Sequence, residues 1–156
     1  MIDIDVPGFG RLQLSRLVCD FNGTLARDGR LLDELRDPIA RLAKTIEVHV
    51  ATADTFGTAK GELTGIPCDV VVLQGDDQAL AKAALVERFG ANSVVAVGNG
   101  RNDRLMLASA ALGIGVIGDE GLAGDALAAS DIVTRCATEA LQLLLEPRRI
   151  IATLRD

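Results

Sequence analysis

The feature that most constrains this chain is a regular alternation of short apolar runs with stretches of helical period. Several of the runs are almost entirely apolar, which is typical of strands buried on both faces of a parallel sheet. We predict strands at 11–19, 46–51, 69–73, 93–97, 112–117 and 131–134. Helices are predicted between them at 38–45, 55–64, 78–89, 102–111 and 137–145. The repeated order predicts an α/β fold, a doubly wound, Rossmann-like and mostly parallel sheet with helices on both faces.

Local signals refine the ends of these elements. Asp37 followed by Pro38 predicts an N-cap and the first residue of a helix, and Gly90 predicts the end of helix 78–89. Residues 1–10 predict a small added strand and a turn. At 156 residues, we predict a single domain, 1–156.

Composition narrows the classes of partner. The net charge is −6 and aromatic residues make up 3% of the chain, whereas nucleic-acid binding favours basic and stacking side chains. No apolar run approaches the ~18 residues of a membrane span, and the acidic N-terminus is unlike a signal peptide. We therefore expect a cytoplasmic protein that binds neither nucleic acid nor membrane. Three cysteines, Cys19, Cys68 and Cys136, predict buried free thiols.

Polar side chains follow the predicted strands, at the edge where open α/β sheets bind their ligands. Asp20 follows the first strand, Thr52 the second, and Asn99 and Asp103 the fourth, while Lys82 lies on the helix after the third. Together they offer a nucleophile, a hydroxyl and an ammonium for phosphoryl oxygens, and hard oxygen ligands for Mg²⁺. This set predicts phosphoryl transfer.

Four segments in this order resemble the motifs of the haloacid dehalogenase-like (HAD) superfamily, and within it the P-type ATPase phosphorylation domain and its soluble relatives. They are Asp-Phe-Asn-Gly-Thr-Leu at 20–25, Thr52, Lys82, and Gly-Asn-Gly-Arg-Asn-Asp-Arg-Leu-Met-Leu at 98–107. The resemblance covers about residues 15–134. It implies a HAD-like hydrolase acting on phosphoryl groups, with a phosphorylated substrate or phosphoryl donor as its partner.

The resemblance also implies a role for each matching residue. Asp20 would become an aspartyl phosphate, while Thr52 would hydrogen-bond the phosphoryl group and Lys82 would neutralise charge. The contacts to substrate would come from Gly23, Thr24, Ala53 and Asn102. The Mg²⁺ ligands would be Asp20, Asn22 through its backbone carbonyl, Asn99 and Asp103.

Two positions depart from the family pattern. Phosphatases of the superfamily carry a second aspartate where this chain has Asn22, and that aspartate is their general acid and base. P-type ATPases also lack it, which is similar to the present case. Asn99 stands where the family has an aspartate ligand, so metal binding is predicted to be weak. Because the amide of Asn22 cannot titrate, we also predict slow turnover.

The stretch between Thr24 and the second predicted strand is short. It holds a turn at Ala26–Arg30 and one helix, so we expect no cap domain. Cap-free members of the superfamily act on macromolecules or use a partner chain as cover. We therefore expect a homo-oligomer or a protein partner to cover the site.

Other motifs have plainer interpretations. Gly113–Gly118 matches a dinucleotide-binding pattern, but the run itself reads as a strand, which favours packing glycines. His49 has no metal-ligating partner in sequence, which favours a packed strand histidine. Asp76 and Asp77 are interpreted as N-cap carboxylates rather than metal ligands. Asp54 is interpreted either as a helix cap or as a contact near the site.

Two functional hypotheses from different classes follow. The first is a Mg²⁺-dependent phosphohydrolase, similar to a soluble P-type ATPase, that phosphorylates Asp20 and turns over slowly. The alternative is a catalytically weak or inactive HAD-fold module that binds phosphate or a partner. The enzyme is favoured because Asp20, Thr52, Lys82 and Asp103 are all present. A phospho-signalling receiver domain fits less well, since its acceptor aspartate would follow the third strand.

Overall fold

In the computed structural model, which describes residues 1–54 and 57–156, strands and helices alternate along most of the chain. The strands are β1 (Ile2–Val6), β2 (Gly10–Leu14), β3 (Arg16–Asp20), β4 (Ala26–Arg27), β5 (Arg30–Leu31), β6 (Glu47–Thr52), β7 (Asp69–Val72), β8 (Val94–Gly98), β9 (Leu112–Val116) and β10 (Ile132–Thr134). The helices are α1 (Arg36–Leu42), α2 (Thr58–Glu62), α3 (Gln78–Phe89), α4 (Arg104–Ser109), α5 (Gly124–Ala128), α6 (Ala137–Leu145) and α7 (Arg148–Leu154). Short 3-10 turns occur at Asp33–Leu35, Ala91–Ser93 and Arg101–Asp103.

Six strands form one parallel sheet in the order β10-β9-β8-β3-β6-β7. The order reverses between β3 and β8, so successive connections run outward in opposite directions from this pair. Ligands of open α/β sheets bind in the crevice at such a switch point. The predicted doubly wound fold is confirmed, and the carboxyl ends of β3 and β8 lie side by side.

Aliphatic side chains cover the sheet on both faces. Consecutive residues of β3 alternate between the faces, as strand geometry requires. Cys19 belongs to the cluster formed with α1, α6 and α7, whereas Val18 belongs to the cluster formed with α3, α4 and α5. This packing holds β3 rigidly, and Asp20 is its last residue.

The predicted strand 11–19 is wrong as one element. The chain breaks at Ser15 into β2, which pairs antiparallel with β1, and β3, which enters the main sheet. The added strand predicted within residues 1–10 is confirmed as β1. Leu12 and Leu14 are buried in the same cluster as Leu17, so the apolar run is continuous although its hydrogen-bonding partners change.

Residues 21–46, all of them described, form a small hairpin, a 3-10 turn and α1. The turn predicted at Ala26–Arg30 is a two-stranded hairpin whose tip residues, Asp28 and Gly29, have φ values of 50° and 76°. Positive φ at both tip residues is typical of a tight hairpin turn. A cap domain is therefore not evident between β3 and β6, as expected.

Helix boundaries differ from the predictions where turns merge with helices. Helix α1 begins at Arg36 and its N-cap, Leu35, makes no side-chain cap bond, so the roles predicted for Asp37 and Pro38 are wrong. The preceding 3-10 turn starts the helix earlier, and Pro38 is tolerated because first-turn amides lack helical partners. Helices 78–89 and 137–145 are confirmed. The first two residues of predicted helix 55–64 lie outside the described residues.

Several polar and sulfur-containing side chains have structural roles. Asp77 accepts a bond from the Leu80 amide at 3.1 Å, which confirms it as an N-cap. His49 is buried and its ring lies 4.4 Å from that of Phe89. The cysteines are free, but only Cys19 is buried, and Cys68 and Cys136 are half-buried. No helix in the described ranges is long and apolar enough to cross a bilayer.

The glycine-rich run at residues 113–118 lies on β9 as far as Val116, as predicted, and its last two residues begin the following loop. A Cβ on Gly113 would lie 2.5 Å from the backbone oxygen of Leu107, whereas one on Gly115 would mainly meet the side-chain ends of Ser130 and Leu122. We expect Gly113→Ala to lower the free energy of unfolding by about 1–3 kcal/mol in urea denaturation. Gly115→Ala should lower it less, because side chains shift more easily than backbone. Equal losses would contradict this account.

Candidate active site

Four side chains from three segments meet at the carboxyl edge of the sheet. Asp20 ends β3, Lys82 projects from α3, and Asn99 and Asp103 lie in the loop after β8. Each is buried, with exposed fractions of 7%, 1%, 6% and 0% respectively. Because the order of strands reverses between β3 and β8, residues 79 positions apart in sequence, from Asp20 to Asn99, come together here.

Lys82 joins two carboxylates at the centre of this site. Its Nζ lies 2.5 Å from Asp20 Oδ1 and 2.6 Å from Asp103 Oδ1. The other oxygen of Asp103 accepts bonds from the amides of Asn99, at 3.0 Å, and Gly100, at 2.8 Å. Asp103 therefore fixes both the loop after β8 and the ammonium group.

The charges of this buried group do not balance. Burial raises the pKa of Asp20 to about 7, and the nearby Asp103 carboxylate acts in the same direction, while Lys82 opposes them. Burial by itself would lower the pKa of Lys82, but Asp20 and Asp103 together hold it above its ordinary value. The Asp103 carboxylate contributes to the raised pKa of Asp20, and both carboxylates raise the pKa of Lys82, since two carboxylates share one ammonium. The site therefore has room for additional positive charge.

Thr24 connects the nucleophile candidate to the loop after β8. Its hydroxyl lies 3.1 Å from Asn99 Oδ1 and 3.3 Å from Asp20 Oδ2. The Asn99 amide nitrogen donates to the carbonyl of Gly121 at 3.1 Å. Thr24 and Asn99 thus hold each other and Asp20 in place.

The remaining predicted residues lie around this centre at different depths. Thr52 is buried on β6, one residue beyond the partner of Asp20 in register, and its hydroxyl accepts from the Asp54 amide at 3.1 Å. Asp54 Oδ1 accepts from the Ala59 amide, which supports the capping interpretation. Asn102 is exposed, and its oxygen lies against Gly100. Among the described residues, no side-chain hydrogen bond or ion pair joins Thr52 or Asn102 to Lys82.

A surface cleft of about 430 Å³ opens beside the nucleophile candidate. Its lining comes from the turn after β3, the hairpin tip and the loop after β6: Phe21, Asn22, Asp28, Gly29, Ala53, Asp54 and Thr58. Asn22 is exposed there, so its side chain is available to a ligand in the cleft. Of the substrate-binding residues predicted at this edge, Ala53 lines this cleft, whereas Gly23 and Thr24 line a second cavity and Asn102 lines a third.

The donors at this edge fit a hard divalent cation. Asp20, Asn22 and Asn99 offer carboxylate, carbonyl and amide oxygens, which are the ligands that Mg²⁺ accepts. A divalent ion would also offset the excess negative charge around Lys82. The described residues contain no group of three His, Cys, Asp or Glu that would hold a metal on their own, so amide and carbonyl oxygens would have to contribute.

One acidic loop at this edge was missed in the sequence. Gly118, Asp119 and Glu120 line a cavity of about 170 Å³ together with Gly23 and Thr24. Asp119 pairs with Arg27 of the hairpin. The signal was available, because this loop follows the fifth strand of the sheet and so ends at the same edge as the other motifs.

Comparison by sequence groups the chain with a relative of unknown chemistry. No family model matches the chain. The chain is 51% identical to an uncharacterized protein of Methanocaldococcus jannaschii over 63 residues, which are 40% of this chain and 68% of the relative. The two proteins belong to the same family. The sequence relative therefore groups the chain without indicating its chemistry.

Solved structures identify the fold. The 3-deoxy-D-manno-octulosonate 8-phosphate phosphatase of Moraxella catarrhalis, in complex with magnesium, phosphate and KDO, superposes with a TM-score of 0.69 at 17% identity, covering 91% of this chain and 94% of that one. A phosphatase of the haloalkanoate (HAD) enzyme superfamily from Bacteroides thetaiotaomicron gives 0.60 at 12% identity, covering 90% and 96%. The chain has the HAD fold. The cobalt-bound deoxy-D-mannose-octulosonate 8-phosphate phosphatase of Haemophilus influenzae is a further neighbour of this HAD-fold chain, with a TM-score of 0.69 at 14% identity, covering 91% of this chain and 90% of that one.

Proposed function

We propose that this HAD-fold chain is a divalent-metal-dependent phosphohydrolase that accepts a phosphoryl group on Asp20 and turns over slowly. The observation that carries the proposal is the buried group of Asp20, Lys82 and Asp103 at the switch point of the sheet. Its solved neighbours include phosphatases with bound magnesium or cobalt, which supports the same class of chemistry.

The proposed reaction has two steps. An Asp20 carboxylate oxygen attacks phosphorus, the bond to the leaving oxygen breaks, and the leaving group departs with the bonding electron pair. Water then attacks phosphorus, releases inorganic phosphate and returns Asp20 as a carboxylate. Lys82 holds Asp20 and counters the charge of the transferring group. Thr24 fixes the orientation of Asp20, and Thr52, Gly23, Ala53 and Asn102 are proposed to contact the phosphoryl group.

Mg²⁺, when bound, would offset negative charge on the transferring phosphoryl group. We propose that it is held by the Asp20 carboxylate, the Asn22 carbonyl and Asn99. Asp103 belongs to the same predicted set of ligands. One of its oxygens faces Lys82 and the other accepts from two backbone amides, so it acts mainly by holding these groups in place. We also predict that a partner chain covers the open cleft.

The direct test uses p-nitrophenyl phosphate and radiolabelled acetyl phosphate with Mg²⁺. We expect released product and an acid-stable, hydroxylamine-labile phosphoprotein. The alternative function, a binding module without efficient catalysis, is favoured by the amides at Asn22 and Asn99, which replace two family carboxylates. Binding of phosphate without product or phosphoprotein would select that alternative.

Restoring an acid at position 22 should raise turnover. Asn22 is exposed in the cleft beside Asp20, so Asn22→Asp adds a group able to donate a proton to the leaving oxygen. We expect an increase of roughly 10²-fold for an alkyl phosphate. The increase should be smaller for p-nitrophenyl phosphate, whose leaving group needs no proton. Asp28→Asn in the same cleft is the control, and equal gains on both substrates would contradict a general acid role.

A further inference from the structure

The loop between β9 and α5 folds over the turn that follows Asp20. The Asn99 amide nitrogen donates to the Gly121 carbonyl at 3.1 Å, and the Asn99 carbonyl accepts from the Ala123 amide at 2.9 Å. The Gly118 amide donates to the Arg135 carbonyl at 2.9 Å. Main-chain bonds therefore fix both sides of Glu120 against the candidate site.

The Glu120 carboxylate points at the space that a side chain would fill if residue 23 were not glycine. A Cβ on Gly23 would lie 2.4 Å from Glu120 Oε2 and 2.8 Å from Asn99 Nδ2. The carboxylate and the amide thus approach the same point from two different loops. Gly23 also has a φ of 78°, a conformation that favours glycine.

Glu120 differs from its acidic neighbours in having no ion-pair partner among the residues that the structure describes. Asp119 pairs with Arg27, and Asp125 pairs with Arg101. Among the ion pairs formed by the described residues, none involves Glu120. Its charge is therefore available to a cation in the site.

The amide at position 99 carries no charge where the family has a carboxylate, and the Glu120 carboxylate can supply the missing negative charge. Asn99 Oδ1 faces the Thr24 hydroxyl and its nitrogen is bonded to Gly121, so its side chain holds the loop but supplies no charge. Both oxygens of Asp103 are also engaged. Among the carboxylates described at the centre, this leaves Asp20 to attract a divalent ion.

We propose that Glu120 supplies a negative charge to the divalent-cation site in place of the carboxylate that Asn99 lacks. This inference rests on the proposed function, because the cation site is the one at Asp20. A carboxylate oriented toward bound metal strengthens binding even when it acts from outside the directly coordinating ligands.

Calorimetric titration with MgCl2 tests this directly, without any measurement of activity. We expect Glu120→Gln to weaken Mg²⁺ binding, raising the dissociation constant by about tenfold. Asp119→Asn, at the neighbouring position that is exposed as Glu120 is, should change it by less than about twofold because its charge is directed at Arg27. Asn99→Asp introduced into Glu120→Gln should recover most of the lost affinity, and equal thermal melting of the single variants would exclude misfolding as the cause.

The outcomes separate the two proposals. If Asp20→Asn loses Mg²⁺ binding while Glu120→Gln binds as wild type does, the role of Glu120 is wrong and the proposed function stands. If wild type fails to bind Mg²⁺, or Asp20→Asn binds it equally well, both proposals are wrong. If Asp119→Asn and Glu120→Gln weaken Mg²⁺ binding equally, the effect comes from general surface charge, and the specific role of Glu120 is wrong.

Discussion

Asp20→Asn should abolish the phosphoprotein and lower phosphate release by about 10⁴-fold or more, because it removes the proposed nucleophile while leaving its surroundings unchanged. The substituted amide oxygen still accepts from Lys82. Substitution also removes a buried carboxyl group whose pKa is raised to about 7 by burial and by the nearby Asp103 carboxylate. We therefore expect the variant to melt at a temperature no lower than wild type.

This combination of lost chemistry and retained stability distinguishes a nucleophile from a structural aspartate. Labelling with radioactive acetyl phosphate and a thermal melt measure the two properties on the same sample. Asp119→Asn is the matched control, since Asp119 lies near the same edge but pairs with Arg27, and it should keep the label. A label that persists in Asp20→Asn would place the acceptor elsewhere.

Much of the fold was readable from the sequence because buried parallel strands leave a strong signal. Helix 78–89 with its Gly90 terminus and helix 137–145 match the structure. The apolar run at 11–19 was misread, since hydrophobicity shows that residues are buried but not which strand they bond to. Helices α5 and α7 were missed, because short helices carry few turns of periodic pattern.

The centre of the site was predictable for a topological reason. Asp20, Lys82 and Asp103 were selected because they follow successive strands, and parallel strands bring those positions to one edge. What the sequence does not show is how each polar atom is used. The hydroxyl of Thr24 faces both Asp20 and Asn99, and the Asn99 amide holds the neighbouring loop. Such pairings depend on side-chain directions that spacing alone does not define.

The two family departures have different structural consequences. Asn22 is exposed in a cleft, so an aspartate there would add chemistry with little change in packing. Asn99 is buried and donates to Gly121, a bond that an ionised aspartate would be unable to make. The amide at position 99 is therefore part of how the loop carrying Glu120 is held. Changing residue 99 alone would supply charge and lose an anchor at once.

Lys82→Met should lower the free energy of unfolding by about 3–5 kcal/mol at pH 7, because breaking a buried ion pair leaves charges without compensation. The side chain is 1% exposed and its ammonium group contacts Asp20 and Asp103. Urea denaturation in EDTA measures the loss without help from bound metal. Lys44→Met, at an exposed position, should change stability by less than about 0.5 kcal/mol.

The loss in Lys82→Met should also depend on pH in a defined direction. Without the Lys82 ammonium, burial and the Asp103 carboxylate raise the pKa of Asp20 further above its value in the unfolded chain. The folded state then binds more protons than the unfolded state, and its stability falls as pH rises from about 4 through 7. We expect the difference from wild type to shrink at pH 5. Asp20→Asn added to Lys82→Met should reduce both the loss and its pH dependence, because one buried charge is gone. A loss that is equal at pH 5 and pH 7 would mean that the missing packing of the lysine chain, rather than the unbalanced carboxylates, accounts for the effect.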